Sequence, residues 1–453
     1  MSKERGLWGS RLGFVLAAAG SAIGLGAVWK FPYMVGAGGG GAFLLIYLAA
    51  VLGIGLVMML AELAAGRSTH TDAVGAFRTL GGKPWSFWGY SSLITGFIIL
   101  SFYCVVGGWT VGYLLKALTG SLLNAADDAD GFKNLFFSFI GDPVYSLIFF
   151  AAFMGLTVGI ILGGVKQGIE RVSKVLMPLL FILMLAMIIR SVTLPGAMAG
   201  IEFFLVPDLG KITPGVCIDA LGFACFSLSL GFGAMLTYGS YMHKNEDMVK
   251  SALWVIVLQT ACVLMAGFMV LPAVFAFGME PGAGPGLTYI TLPAVFKAMP
   301  GGSVFAVLFF MLLLVAALTS SVSIIEPIVA YFIDQYQVRR GLACWGVATA
   351  SFVAGIPATW SFGGADMGTL FGLTPFDFMD YITLNIMMPL NVLAACLLMG
   401  WFVNHRFLRE LLRRHAVVQE GGALPAWVKY VNFSCRYIAP VGITAILLGS
   451  LLQ

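Results

Sequence analysis

The sequence predicts an all-α polytopic membrane protein, and three observations carry that expectation. Hydrophobic residues make up 60% of the chain and charged residues only 10%, at a mean hydropathy of +0.95, so a water-soluble globule could not hide its apolar side chains. Apolar runs close to the ~20 residues that cross a hydrocarbon core recur from end to end, favouring helices over the alternating pattern of a membrane barrel. Basic residues gather on alternate connections between those runs.

Hydropathy, punctuated by Gly, Pro and charge, places eleven spans near residues 11–36, 41–66, 88–117, 143–163, 171–191, 216–241, 247–277, 303–336, 341–360, 376–403 and 431–452. The segment Met1 to Arg11 is polar and basic and runs straight into the first span without a small-residue cleavage site, so no signal peptide is expected. With the N-terminus cytoplasmic, most Lys and Arg fall inside, among them Arg67, Lys83, Lys166, Lys244, Arg339, Arg340, Arg406, Arg409, Arg413 and Lys429. Outside remain only Lys116, Lys133, Arg190, Lys211 and Lys297, with the acidic Asp127, Asp128 and Asp130, which fixes the orientation. The longest polar stretches, 118–142, 192–215, 278–302 and 404–430, read as short connections, leaving a single transmembrane domain over 1–453. The seven cysteines, at 104, 217, 225, 262, 344, 396 and 435, fall almost entirely in apolar runs and read as small buried hydrophobes. A net charge of +4 points to no particular partner besides the bilayer, and nucleic acid is not expected.

Two spans carry the same mid-membrane pattern. The first contains Gly20-Ser21-Ala22-Ile23-Gly24-Leu25-Gly26-Ala27 and the sixth Ser227-Leu228-Ser229-Leu230-Gly231-Phe232-Gly233-Ala234. Gly lowers helix stability by about 1 kcal/mol against Ala, so paired glycines invite an unwinding that frees backbone groups for ions and carboxylates. One such segment alone would suit close helix packing. Two in corresponding positions, five helices apart, point to an inverted-repeat secondary transporter with its site near the midplane.

Longer signatures carry a resemblance. Arg5, Trp8, the run Arg11 to Pro32 ending in Trp29-Lys30-Phe31-Pro32, Gly38-Gly39-Gly40-Gly41-Ala42-Phe43, Glu62 with Gly66-Arg67, Ser227 to Gly233, and Leu318-Thr319-Ser320-Ser321 resemble the signature segments of bacterial neurotransmitter:sodium symporters. The resemblance covers nearly the whole chain. It implies the LeuT fold in a bacterial inner membrane: inverted five-helix repeats over about 11–191 and 216–403, unwound first and sixth spans, an accessory last span over about 431–452, and alternating access. Eleven spans depart from the twelve of the best-known members.

The resemblance also implies sodium as the coupled ion. A second sodium site maps onto Gly20, Ile23, Ala316, Thr319 and Ser320, and a hard cation without a carboxylate does want about five oxygens. Adjacent Thr and Ser hydroxyls in a membrane helix also commonly bond back to the preceding turn. A first site would use Ala22, Ser227, the substrate carboxylate and amide or acidic side chains, but Ala27 stands where the first-span amide belongs, leaving Gln259 as the polar candidate in the seventh span. Tyr47 and Ser227 match chloride-binding positions, whereas Phe223 and Val263 replace polar ones and no carboxylate compensates, which counts against chloride.

Amine transporters of the family carry an aspartate where this chain has Gly24, so the substrate should bring its own carboxylate. The resemblance sets that carboxylate against the amides of Leu25 and Gly26 and the Tyr103 hydroxyl, and the ammonium against carbonyls near Ala22, Phe226 and Ser229. Ile99, Phe226, Phe232, Ser320 and Ile324 would surround a neutral, hydrophobic or aliphatic side chain. Sodium-coupled uptake of a neutral L-amino acid is the expectation; a sodium-independent exchanger of the same fold is the alternative. Lys30 and Asp380 match an outer gate, with Lys in place of a forked Arg, and Tyr103 with Phe226 an aromatic lid. Arg5 and Asp334, with Trp8, Ser240 and Tyr241, match an inner gate, while Glu62 and Glu326 read as structural. Histidines 70, 243, 405 and 415 fall in loops without a catalytic pattern, so enzyme chemistry is not expected.

Overall fold

Ser10 opens the first helix, its hydroxyl accepting the Gly13 N–H at 3.0 Å. The computed structural model describes residues 6–126, 128–279, 281, 286–363, 368–413 and 423–452. Helix Arg11–Ala22 ends at the first glycine pattern and the chain resumes as Gly26–Ala37, the two halves meeting at 49°. Among the described residues, nine unbroken helices are long and apolar enough to cross a membrane: Gly41–Thr69, Lys83–Leu118, Pro143–Ile161, Gly164–Val192, Met248–Ala276, Gly302–Tyr336, Arg340–Trp360, Pro375–Phe402 and Ala426–Ser450. The sixth span is interrupted, as Pro214–Ser227 and Ala234–Ser240, each half too short to cross alone.

The long connections are not plain loops. Helices Ala129–Gly141, Ala197–Leu205, Leu287–Ala298 and Asn404–Leu412 lie within them. The reason is amphipathicity at short length: Phe132, Phe136, Phe139 and Ile140 fall on one face of Ala129–Gly141 and are all buried. A search for ~20-residue apolar runs passes over such pieces.

The third span, Lys83–Leu118, packs along the eighth, Gly302–Tyr336, and against the fourth and ninth. Arg11–Ala22 lies between the fifth, seventh and eighth spans, and Ala234–Ser240 lies on the second. Buried Arg67 pins the end of the second span to Asn404–Leu412: its Nε meets Glu410 at 2.6 Å and its Nη2 the Glu410 carbonyl at 2.7 Å. All seven cysteines are free thiols, six of them buried and Cys217 half-buried.

The breaks sit where hydrocarbon cannot solvate backbone, so every freed group needs a protein partner. Gly231 and Gly233 take φ of 84° and 82°, a region open to Gly at no steric cost. Glu62 Oε1 accepts the Gly231 N–H at 2.7 Å, and Asn391 Nδ2 donates to the Gly231 carbonyl at 2.8 Å and to Thr95 at 3.0 Å. In the first break, the Ser21 carbonyl accepts from Ser229 at 2.8 Å and from Ser320 at 2.9 Å. Side chains of the second, third, sixth, eighth and tenth spans therefore hold both breaks open.

Glu62→Leu should orphan the buried Gly231 N–H and cost about 1–3 kcal/mol, seen as a lower melting temperature in detergent. Glu62→Gln keeps an acceptor oxygen and should melt close to wild type. If the two variants melt alike, the Gly231 bond is not what Glu62 contributes.

Candidate functional site

Between the two breaks lies a small cavity of about 30 Å³. The first span contributes Ser21, Ala22, Gly24 and Gly26, the third Ile99 and Tyr103, and the eighth Ser320 and Ile324. The sixth contributes Phe226, Ser227, Ser229 and Phe232. Eleven of the twelve residues expected from the sequence to line a substrate site thus border one space, and Ser21 joins them. Leu25 faces it through its backbone, its N–H donating to the Tyr103 hydroxyl at 3.3 Å. No charged side chain lines the cavity. Gly24 is required by space as well: a Cβ there would strike Ser320 Oγ, and one on Gly26 the Phe226 ring.

Oxygens converge beside this cavity. Thr319 Oγ1 lies 3.0 Å from the Ala316 carbonyl, and Ser320 Oγ lies 3.3 Å from Gly20 O. Thr319 is back-bonded to its own preceding turn, whereas Ser320 reaches across to the first span. Ile23 stands at the end of the first half-helix, with its N–H on the Ala19 carbonyl. Oxygens of Gly20, Ala316, Thr319 and Ser320 therefore lie along one seam between the first and eighth spans, neutral groups of the kind a hard monovalent cation takes.

The expected first site is arranged differently. Ala27 is fully buried and brings no side-chain oxygen. Gln259 Nε2 donates to the Tyr47 hydroxyl at 2.6 Å, which lies 3.0 Å from Ser227 Oγ, and Gln259 Oε1 is buried without a partner. It is the one oxygen of this triad with no hydrogen-bond partner among the described residues. Phe223 packs on Tyr47 with ring centres 5.4 Å apart, and Val263 is fully buried.

At the outer end, no ion pair joins Lys30 and Asp380 among the described residues. The Lys30 ammonium lies instead 5.3 Å from the centre of the Phe226 ring, within the field of both Asp380 and Asp219. Asp219, on the first half of the sixth span, gave no signal in the sequence because nothing there tells which face of a short helix looks toward Lys30.

The inner end is tied more firmly. Buried Trp8 donates its indole N–H to the Tyr238 carbonyl at 3.0 Å and its backbone N–H to Tyr241 O at 3.1 Å, and packs edge-on against Phe14, Tyr238 and Tyr241. The Tyr241 hydroxyl donates to Glu326 at 2.7 Å, and Arg340 pairs with the same carboxylate at 2.5 Å. His70 sits 2.9 Å from the Ser240 carbonyl and His243 2.9 Å from that of Trp8. Glu170 of the fifth span receives the Gly9 N–H at 2.6 Å and the Ser10 hydroxyl at 2.8 Å. Arg5 lies outside the described residues; its expected partner Asp334 accepts the Asp72 N–H at 2.9 Å.

Arg340→Leu should strand the buried Glu326 carboxylate and cost about 3–5 kcal/mol of stability. Tyr241→Phe removes one hydrogen bond to a charged group and should cost about 1.5–3 kcal/mol. Thermal unfolding in detergent checks the order; an Arg340→Leu protein as stable as wild type would mean that Glu326 is not carried as an anion.

Comparison with known proteins agrees with this architecture. The family model for the sodium:neurotransmitter symporter family matches residues 5–128 and 137–453. The chain is 39% identical to the uncharacterized sodium-dependent transporter YhdH of Bacillus subtilis, over 99% of this chain and 98% of that one. It is 38% identical to an uncharacterized sodium-dependent transporter of Haemophilus influenzae, covering 99% of each. Its structure matches that of MhsT in complex with L-phenylalanine at a TM-score of 0.89 and 41% identity, over 98% of this chain and 100% of the other. The helices, the paired breaks and the full-length matches together place this chain in the sodium:neurotransmitter symporter family, as a multi-pass, sodium-dependent membrane transporter of the LeuT fold and not an enzyme.

Proposed function

We propose that the chain takes up a neutral, hydrophobic L-amino acid together with sodium across a bacterial inner membrane, its N-terminus on the cytoplasmic side. The carrying observation is the charge-free cavity between two opened helices, where Tyr103 holds the Leu25 amide and Ile99, Phe226, Phe232 and Ile324 form an apolar wall. The substrate carboxylate supplies the negative charge that Gly24 lacks; its amine meets the carbonyls of Ala22, Phe226 and Ser229. MhsT, the similar transporter solved with L-phenylalanine, supports a neutral side chain of appreciable size. At about 30 Å³ the cavity is far below the ~300 Å³ of an open small-molecule site, so loading must widen it, by movement of the Tyr103 and Phe226 lid. The repeats over 11–191 and 216–403 alternate access about this point, and the span over 431–452 is accessory.

Sodium at Gly20, Ile23, Ala316, Thr319 and Ser320 couples the first span to the eighth, favouring the conformer in which their oxygens converge. The test is uptake of a radiolabelled amino acid, chosen from a binding screen of all twenty, into proteoliposomes with and without an inward sodium gradient. Wild type should accumulate it only with the gradient, and Thr319→Val with Ser320→Ala should lose that dependence by about 100-fold or more while staying folded. Exchange indifferent to sodium would overturn the symport reading in favour of an exchanger.

Stoichiometry follows from the first site. With Ala27 silent, a sodium there depends on Ala22, Ser227, the substrate carboxylate and the Gln259 oxygen, so ion and substrate should tighten each other by the same factor. Ala27→Asn should raise sodium affinity and Gln259→Ala lower the steepness of the sodium titration of substrate binding. An unchanged steepness in Gln259→Ala would assign one sodium per substrate.

A further inference from the structure

The eleventh span carries a cation that the transport site does not use. Arg436 lies ten residues beyond Ala426, the start of helix Ala426–Ser450, hence about 15 Å along its axis. Five residues into the apolar run that begins near residue 431, an arginine is costly unless something compensates it. Its Nε donates to the Gly400 carbonyl at 2.7 Å, its guanidinium lies 5.5 Å from the Trp401 ring centre, and Trp401 returns its indole N–H to the Arg436 carbonyl at 3.0 Å. Among the described residues no carboxylate pairs with it, and its two terminal amino groups meet no acceptor.

The surface around it has the character of a membrane interface. Trp401, Phe433 and Tyr437 are all exposed, which for these rings in a spanning helix means facing lipid. Toward the end carrying the basic connections stand Arg406 and Arg409 on Asn404–Leu412, and Lys429, none of them with an acidic partner among the described residues. Glu410, the acid of that helix, is turned inward onto Arg67 and Arg413. An Asn404 to Asn432 hydrogen bond ties the two helices together. Topological bias explains basic residues on a cytoplasmic connection; it does not explain an arginine inside the span with its fork left open.

The geometry points to a binding site for an anionic phospholipid at the junction of the tenth and eleventh spans. The Arg436 fork takes the phosphodiester oxygens, a match of planar donors to phosphate that lysine would not give. Arg406 and Lys429 surround the headgroup, which selects against a zwitterionic lipid whose choline would meet like charge, and an acyl chain runs along Trp401, Phe433 and Tyr437.

The experiment uses the full chain purified in neutral detergent and offered phosphatidylglycerol, phosphatidylcholine or inorganic phosphate, with native mass spectrometry and thermal unfolding as readouts. Wild type should retain phosphatidylglycerol at least about tenfold over phosphatidylcholine and melt higher with it, and phosphate should do neither. Arg436→Gln should lose the preference. Should that variant fail to fold, Arg406→Gln with Lys429→Gln, both outside the apolar part of the span, should lower phosphatidylglycerol retention in a folded protein. Equal retention of the two lipids by wild type, undiminished retention in the variants, or equal stabilisation by phosphate each overturns the assignment.

Discussion

Opening a helix inside a bilayer releases N–H and C=O groups where no water can take them, so the breaks can exist only if other spans supply partners. The Gly231 peptide is met on its N–H side by Glu62 of the second span and on its carbonyl side by Asn391 of the tenth. The Ser21 carbonyl is met by hydroxyls of the sixth and eighth spans, and the Leu25 amide by Tyr103 of the third. The cavity is therefore as well defined as five separate helices are mutually packed. Its shape is a property of the whole bundle and not of one segment.

The two ends of the molecule are closed by unlike means. Inside, a buried tryptophan, a tyrosine and a carboxylate with its arginine form one connected set, joined by two histidines that hold backbone carbonyls. Outside, Lys30 rests over an aromatic face with two carboxylates nearby and no ion pair to Asp380 among the described residues. Cation–π contact at such a site contributes about 0.5–2 kcal/mol, less than a buried hydrogen-bonded pair loses when broken. The polar contacts at the outer end are thus the weaker of the two sets.

Spans and breaks were readable because hydropathy and glycine act locally. The first and sixth interruptions fall at the two Gly-x-Gly-Ala segments, and eleven expected pocket residues border one cavity, because their spacing follows from helices whose ends composition marks. The fifth span begins at Gly164 and the last at Ala426, earlier than their apolar cores suggest, since polar turns continue both helices. What stayed hidden depends on partners far away in sequence. Arg67 with Glu410 is separated by 343 positions, and Glu170 with Gly9 by 161. Glu326 read as structural from its place in a span; only the fold shows that it joins Tyr241 to Arg340 at the inner closure.

The free thiols have a practical consequence. Six of the seven are buried in the packed helices, and only Cys217, near the start of the sixth span, is partly open. A water-borne maleimide would therefore find almost nothing to label on the natural chain. With Cys217 replaced by serine, the protein becomes a quiet background in which one introduced cysteine, placed beside Trp8 or beside Lys30, reports by its labelling rate which vestibule is hydrated as sodium and amino acid are added in turn.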